Sequence, residues 1–381
     1  MKVVLNTKSF QEAVAKAVRC SSFEQQFIST MCLNIEVLNI EKHNIKTVVL
    51  TTTDMKNTMG VHCAEAFSES DCDDFFTCVN GDVFAKLISK LTSLKIILEL
   101  SEDNKQLFVL SGNSKYPFPV YSDMDSSRPI AIKYPDFHLC DHGVTVSGSQ
   151  LKTITTYNKN CISPNNVLNP LYGNYYVDKD GVITFDEVQA CVNNNVHITD
   201  NTFMLRKETV NLLDVFGTDD VDVQIDNKLI RFSNGYIDII GTLLNDAEKF
   251  PAQPLKELAQ TNSKDFLKVN KKELIGCLDR LLLFVDERDM FSAKVVFNKD
   301  NIIFNGYTNA ELVETVACTE SSITESNIQY INVKSLRTQI AVCVDDVIKL
   351  CFGSDIGLTI ESDGIIQFVP YLDADDDEIV E

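Results

Sequence analysis

At 381 residues, 44% hydrophobic and 23% charged, the chain has the balance of a folded globular protein, long enough for two or three domains of roughly 100–150 residues. No apolar run approaches the roughly 20 residues of a membrane helix, and the opening MKVVLNTKSFQEA lacks the apolar stretch of a signal peptide. A net charge of −21 opposes nucleic-acid binding unless the basic residues are segregated onto one surface.

Six segments carry helical periodicity, and β-type segments follow each of them. In chain order they are SFQEAVAKAVR (9–19), DVFAKLISKLT (82–92), SQLKTITTYNKN (149–160), LRKETVNLLD (205–214), KKELIGCLDRLL (271–282) and VKSLRTQIAVC (333–343). Their starts lie 56 to 73 residues apart, so the repeat is structural rather than strict. After the second come KIILELSE (95–102) and QLFVLSG (106–112). After the fourth come VDVQIDN (221–227), KLIRFSNG (228–235) and YIDIIGTLL (236–244). After the sixth come VIKLCFGS (347–354), IGLTIESDG (356–364) and IIQFVPY (365–371). The pairs Asp180-Gly181, Asn234-Gly235 and Asp363-Gly364 are hairpin chemistry, because glycine supplies positive φ.

Six helix-then-strand units pair into three domains. The expected class is α+β: three topologically similar domains, each with two helices packed on antiparallel sheets. Polar, proline-containing stretches near 122–137 and 252–264 set the boundaries, giving domains over 1–135, 136–258 and 259–372. The tail 373–381 holds six carboxylates in nine residues and is expected to be disordered.

The helical windows are neutral or positive, between 0 and +2 each, in a strongly acidic chain. In 82–92 the apolar stripe is Phe84, Leu87, Ile88 and Leu91, leaving Lys86 and Lys90 outside it. In 333–343 Leu336 and Ile340 face inward, with Lys334 and Arg337 on the other side. Together with Lys16, Arg19, Lys152, Lys159, Arg206, Lys207, Lys272 and Arg280, these are the candidate DNA contacts. If the helices line one surface, that surface attracts phosphate while the rest repels it. None carries a base-reading constellation, so contact would be independent of sequence.

Several segments together resemble the bacterial beta sliding clamps, the processivity subunits of replicative polymerases. They are the opening MKVVLNTKSFQEAVAKAV, VVLTTTD (48–54), NVLNPLYGNYYVDKDGVITFDEVQACV (166–192), GTLLNDAEKFPAQP (241–254), LIGCLDRLLLF (274–284), NIIFNGYTNAELVETV (301–316) and IIQFVPYL (365–372). The resemblance implies three clamp domains per chain and two chains joined head to tail in a ring, a homodimer that encircles duplex DNA and tethers the replicative polymerase without catalysis. It implies a dimer interface using Tyr116 and Phe118 on one side and Leu283 and Phe284 on the other. It also implies an apolar pocket for a peptide of the polymerase or the clamp loader, at Ile154, Ala190, Pro251, Leu255, Val369, Pro370 and Tyr371. Two positions depart from the family pattern. Gln189 stands where the pocket often has arginine, and Glu24 stands where a DNA-contacting arginine often sits, with Arg19 one turn away.

Other chemistry finds little support. Twelve cysteines without CxxC or disulfide spacing, Cys277, Cys343 and Cys351 among them, read as reduced core residues of a cytoplasmic protein. His138-Leu139-Cys140-Asp141-His142 has ligand-type residues but no evident fourth ligand, so no metal and no cofactor is expected. No P-loop, GxSxG or dinucleotide fingerprint occurs. The rival reading from another class is an acidic DNA mimic that sequesters basic DNA-binding proteins, motivated by the net charge and the acidic tail.

Overall fold

In a computed structural model the chain is described over residues 1–22, 27–40, 45–66, 74–123, 125, 128–139, 143–163, 169–261, 265–288, 290–306, 312–352 and 355–372. Glu24, Cys140, His142 and the acidic tail 373–381 lie outside the described residues.

The six expected helices form as Thr7–Ala17, Gly81–Ile88, Gly148–Thr156, Lys207–Val210, Lys271–Leu281 and Val333–Val342. Four of them start on an asparagine that ends the preceding strand: Asn6, Asn80, Asn270 and Asn332. In each, the side-chain oxygen accepts from a backbone N–H of the first turn, which would otherwise lack a partner. No asparagine stands between Phe203–Leu205 and Lys207–Val210, and that helix is only four residues long. Lys159 lies past its helix, in the 3-10 turn Asn158–Cys161.

The stretch 252–264, expected as a polar boundary, instead begins with a helix, Ala252–Thr261. Pro254 sits in its first turn, where the missing N–H costs nothing. Ala252 and Leu255 bury one face of it beside Phe250, with Ala259 packed against them.

The chain divides into two compact units, residues 1–148 with 208–243, and residues 149–207 with 244–381. The segment 136–258 thus contributes to both. Every strand pairing is antiparallel.

In the first unit, a four-stranded sheet runs Lys2–Asn6, Lys95–Leu100, Gln106–Ser111, Ser114–Pro119. An eight-stranded sheet runs Phe75–Asn80, Cys32–Ile40, Ile45–Thr53, Asn57–Ala66, Ile237–Thr242, Leu229–Ser233, Asp220–Asp226, Val144–Ser147. Phe10, Phe84 and Phe118 stack edge to face in its core, with centroids 6.1 and 5.2 Å apart.

The second unit holds one twelve-stranded sheet. It begins Phe203–Leu205, Tyr175–Asp178, Gly181–Phe185, Ala190–Asn193, Ile365–Leu372, and continues through Asn327–Asn332, Ser292–Phe297, Asn301–Gly306, Val313–Ser321, Phe266–Asn270, Val347–Cys351, Gly357–Ser362. The last strand pairs back on Ile365–Leu372, closing the final eight strands on themselves. The turn at Asp363-Gly364 has positive φ at both residues (49° and 71°), as a two-residue hairpin of type I′ requires. Leu274, Leu278, Leu281, Leu336 and Ile340 pack two helices onto that sheet, and Cys277 and Cys343 are buried with them. Burial pushes the Cys277 thiol up to about 12, so it behaves as a small apolar filler.

Candidate functional site

The twelve basic residues singled out on the helices meet different surroundings. Lys90, Lys152, Lys159 and Lys272 are exposed, and no described carboxylate pairs with them. Lys334 is also exposed, its ammonium 4.6 Å from the centre of the Phe291 ring. Lys16 lines a cleft of about 280 Å³ together with Ser9, Glu12, His62 and Asp219, so its field is mixed. Arg206 and Lys207 are half-buried.

The other four are engaged by carboxylates. Lys86 pairs with Asp82 one turn back at 2.6 Å. Arg337 pairs with Asp279 at 2.9 Å. Arg19 pairs with Asp214 at 2.6 Å and donates to the Asn211 carbonyl at 3.0 Å. Arg280 makes a bidentate pair with Glu314, both bonds 2.6 Å, and the guanidinium holds the Glu314 carboxyl below its usual range. These partners lie far off in sequence for three of the four, beyond the reach of helical spacing.

The residues expected to form the peptide pocket all belong to the second unit. Ile154, Ala190, Leu255 and Val369 are buried, while Pro251, Pro370 and Tyr371 are half-buried. Ala190 and Leu255 share one apolar cluster with Ile183, Met204 and Phe250. Val369 belongs to the larger core, with Tyr371 against it. The strand pairing sets Ala190 opposite Phe368. The cavity between Ala190, Leu255, Leu258, Ala259 and Phe368 is about 10 Å³, no more than a water's room. Gln189 is turned inward: its amide nitrogen donates to Ser335 Oγ at 3.2 Å, and its oxygen accepts from Gln339 at 2.7 Å.

The four expected interface residues divide. Leu283 and Phe284 are 78% and 51% exposed just past the helix Lys271–Leu281. Phe118 is 6% exposed and packs in the core against Phe84. Tyr116 is half-buried on the same strand. Sequence reading missed the strand Val313–Ser321, whose residues 313–317 pair with Asn301–Gly306 alone, and in it Val313 is exposed at 55%. Only the β-alternation of VETVACTE pointed to it.

Among the described residues no three His, Cys, Asp or Glu side chains gather as a metal site. His138 places its Nδ1 3.0 Å from Asp226, whose carboxylate raises the imidazole pKa through that hydrogen bond. No described helix is long and apolar enough to cross a membrane.

No family model matches the sequence, and no curated protein does. Solved structures do match. The chain is similar over 98% of its length to the beta subunit from DNA polymerase of Streptococcus pyogenes, at 16% identity, 100% of that chain and a TM-score of 0.81. It is similar over the same share to DNA polymerase III subunit beta from Borrelia burgdorferi, solved in complex with a natural product (15% identity, 99% of that chain, TM-score 0.80). The DNA polymerase sliding clamp from Bacillus subtilis gives 15% identity, 99% coverage and a TM-score of 0.79. The fold is the bacterial sliding-clamp fold. At identities of 15–16% most side chains differ while the fold is shared.

Proposed function

We propose that this protein is a DNA sliding clamp: a non-catalytic ring of two copies that encircles duplex DNA in the cytoplasm and tethers a replicative polymerase. The observation that carries the reading is the extent of the clamp fold, 98% of the chain against the whole of a solved clamp chain. The segregated lysines support it, because Lys90, Lys152, Lys159 and Lys272 stand exposed on or beside helices of an otherwise acidic chain. Under this reading the three domains are 1–135, 136–258 and 259–372.

Strand pairing supports ring closure by two copies. Asn57–Ala66, of the first domain, pairs with Ile237–Thr242, of the second. Ala190–Asn193, of the second, pairs with Ile365–Leu372, of the third. Continuing that series, Val313–Ser321 of the third domain is left to pair with Ser114–Pro119 of another copy's first domain. A heterologous contact of this kind closes into a ring after two copies if each turns the chain by half a circle. Leu283, Phe284 and Val313 supply exposed apolar area beside it.

A closed ring holds DNA by topology, so its affinity for phosphate can be weak and sliding stays free. A polymerase or clamp loader bound through a peptide at Ile154, Ala190, Pro251, Leu255, Val369, Pro370 and Tyr371 is then kept at high effective concentration on the template.

The test is retention after loading onto a nicked circular plasmid with its cognate loader. The clamp is expected to stay through gel filtration at high salt and to leave when the plasmid is cut once. Equal release from circular and linear DNA would remove the ring reading.

A further inference from the structure

The open edge of Ser114–Pro119 is unusual in what its backbone can donate. Its register against Gln106–Ser111 sets Val109 opposite Tyr116 and Leu107 opposite Phe118, and the Val120 N–H donates to the Lys105 carbonyl. In an antiparallel pair, residues alternate between those bonded to the neighbour and those whose backbone groups face away. The Val120 bond fixes the phase. Even-numbered residues bond inward, and Lys115, Pro117 and Pro119 face the open side. Proline has no N–H. The edge therefore presents three carbonyls and a single donor, the N–H of Lys115.

Residues 313–317 of the strand Val313–Ser321 pair on one side only among the described residues, and their free side is complete. Gly306 donates to the Leu312 carbonyl and Cys318 to the Asp300 carbonyl, so the even-numbered residues of Val313–Ser321 bond to Asn301–Gly306. Val313, Thr315 and Ala317 face outward, exposed, each with its N–H and carbonyl. Beyond them the strand pairs with Phe266–Asn270. Three donors on this edge match three acceptors on the other.

Resting on the two-copy ring, we propose that Pro117 and Pro119 make the contact between copies a deliberately incomplete ladder. The strand Ser114–Pro119 of one copy accepts from Val313, Thr315 and Ala317 of the next and returns one bond, from Lys115. That is four ladder bonds where two complete edges would make six. The two junctions inside the chain carry no proline in their paired stretches. Opening is thereby confined to the contact between copies. The prolines also guard against the wrong partner: two Ser114–Pro119 edges brought together set carbonyl against carbonyl at both prolines.

The experiment is the dimer dissociation constant of the full chain by sedimentation equilibrium, with thermal melts to verify folding. Pro117→Ser/Pro119→Ser restores two donors at each of the ring's two junctions, four in all, and is expected to tighten the dimer by about 30-fold or more. Thr315→Pro, which deletes one donor at each of the two junctions, is expected to weaken it roughly 5- to 100-fold. A folded double variant with an unchanged or weaker constant overturns the proposal, while a wild-type mass near twice 42.7 kDa leaves the ring reading standing. A monomeric wild type with a dimeric double variant supports it. Monomers of both at every concentration overturn the junction together with a self-closing ring. Should the double variant not fold, Thr315→Pro decides, and a constant that fails to weaken removes this junction.

Discussion

Phe118 and Phe284 are aromatic residues of the same size with opposite surroundings, and substitution separates their roles. Phe118 fills the core against Phe84, so Phe118→Ala should cost about 3–4 kcal/mol of stability through the cavity it leaves. Phe284, half in solvent, should cost less than about 1 kcal/mol in the monomer and show its effect in the dimer constant instead. Urea midpoints for the two alanine variants check the contrast, and equal losses would contradict it. Lys256 is a second case. Its ammonium meets Asp178 and Asp180, each at 2.7 Å, pinning the helix Ala252–Thr261 to the hairpin at 178–181. Burial pulls the Lys256 pKa down, but hydrogen bonds to the two aspartates outweigh it and leave it raised, while the Asp180 carboxyl is held below its usual range by the same lysine. A lowered carboxylate contributes stability that is full above its unfolded value, about pH 4, and is lost as pH falls through the folded value. Asp180 is too exposed for that part to be large. The larger effect is the loss of a partner for buried Asp178: Lys256→Met should lower stability by about 1–3 kcal/mol at neutral pH, read as the urea midpoint at pH 7.

Asparagine caps explain why helix starts repeat where they do. The strand-end asparagines Asn6, Asn80, Asn270 and Asn332 each hold a first-turn N–H, so Asn332→Ala should cost about 1 kcal/mol and Asn332→Asp or Asn332→Ser much less. An alanine variant as stable as the wild type would mean that packing alone starts this helix. Much of the fold was legible for the same reason. Apolar stripes at helical spacing, such as Phe84 with Ile88 and Leu336 with Ile340, and the hairpin pairs Asn234-Gly235 and Asp363-Gly364 are local signals, and the structure uses them. The helix Ala252–Thr261 was masked by Pro254, which marks a first turn as readily as a break. The candidate site was less legible because its controls are tertiary. Nothing near Arg280 in sequence announces Glu314, and nothing in KYPFPVY says that Phe118 turns inward while both prolines face the open edge.

At the scale of the whole molecule, the proposed clamp, a chain of −21, must bring a few exposed cations to DNA against its own repulsion. Each phosphate neutralised contributes about −0.9 to the slope of log K against log salt. Arg280 and Arg337 are spent on Glu314 and Asp279, so they should contribute nothing, whereas Lys90, Lys152, Lys159 and Lys272 remain exposed. Replacing those four lysines with alanine should remove most of the slope measured by anisotropy on a short linear duplex. Arg280→Ala with Arg337→Ala should leave the slope as it was. An unchanged slope in the lysine variant would place the DNA-facing surface elsewhere. The same lysine variant also separates the two ways of holding DNA. In the proposed ring, phosphate attraction sets how readily the protein meets the duplex, and topology sets how long it stays. Loading onto circular DNA should therefore fall in the variant, while the lifetime of rings already loaded stays close to that of the wild type, even at salt near 1 M. A shortened lifetime in proportion to the lost affinity would instead mean that electrostatics, not closure, keeps the protein on its template.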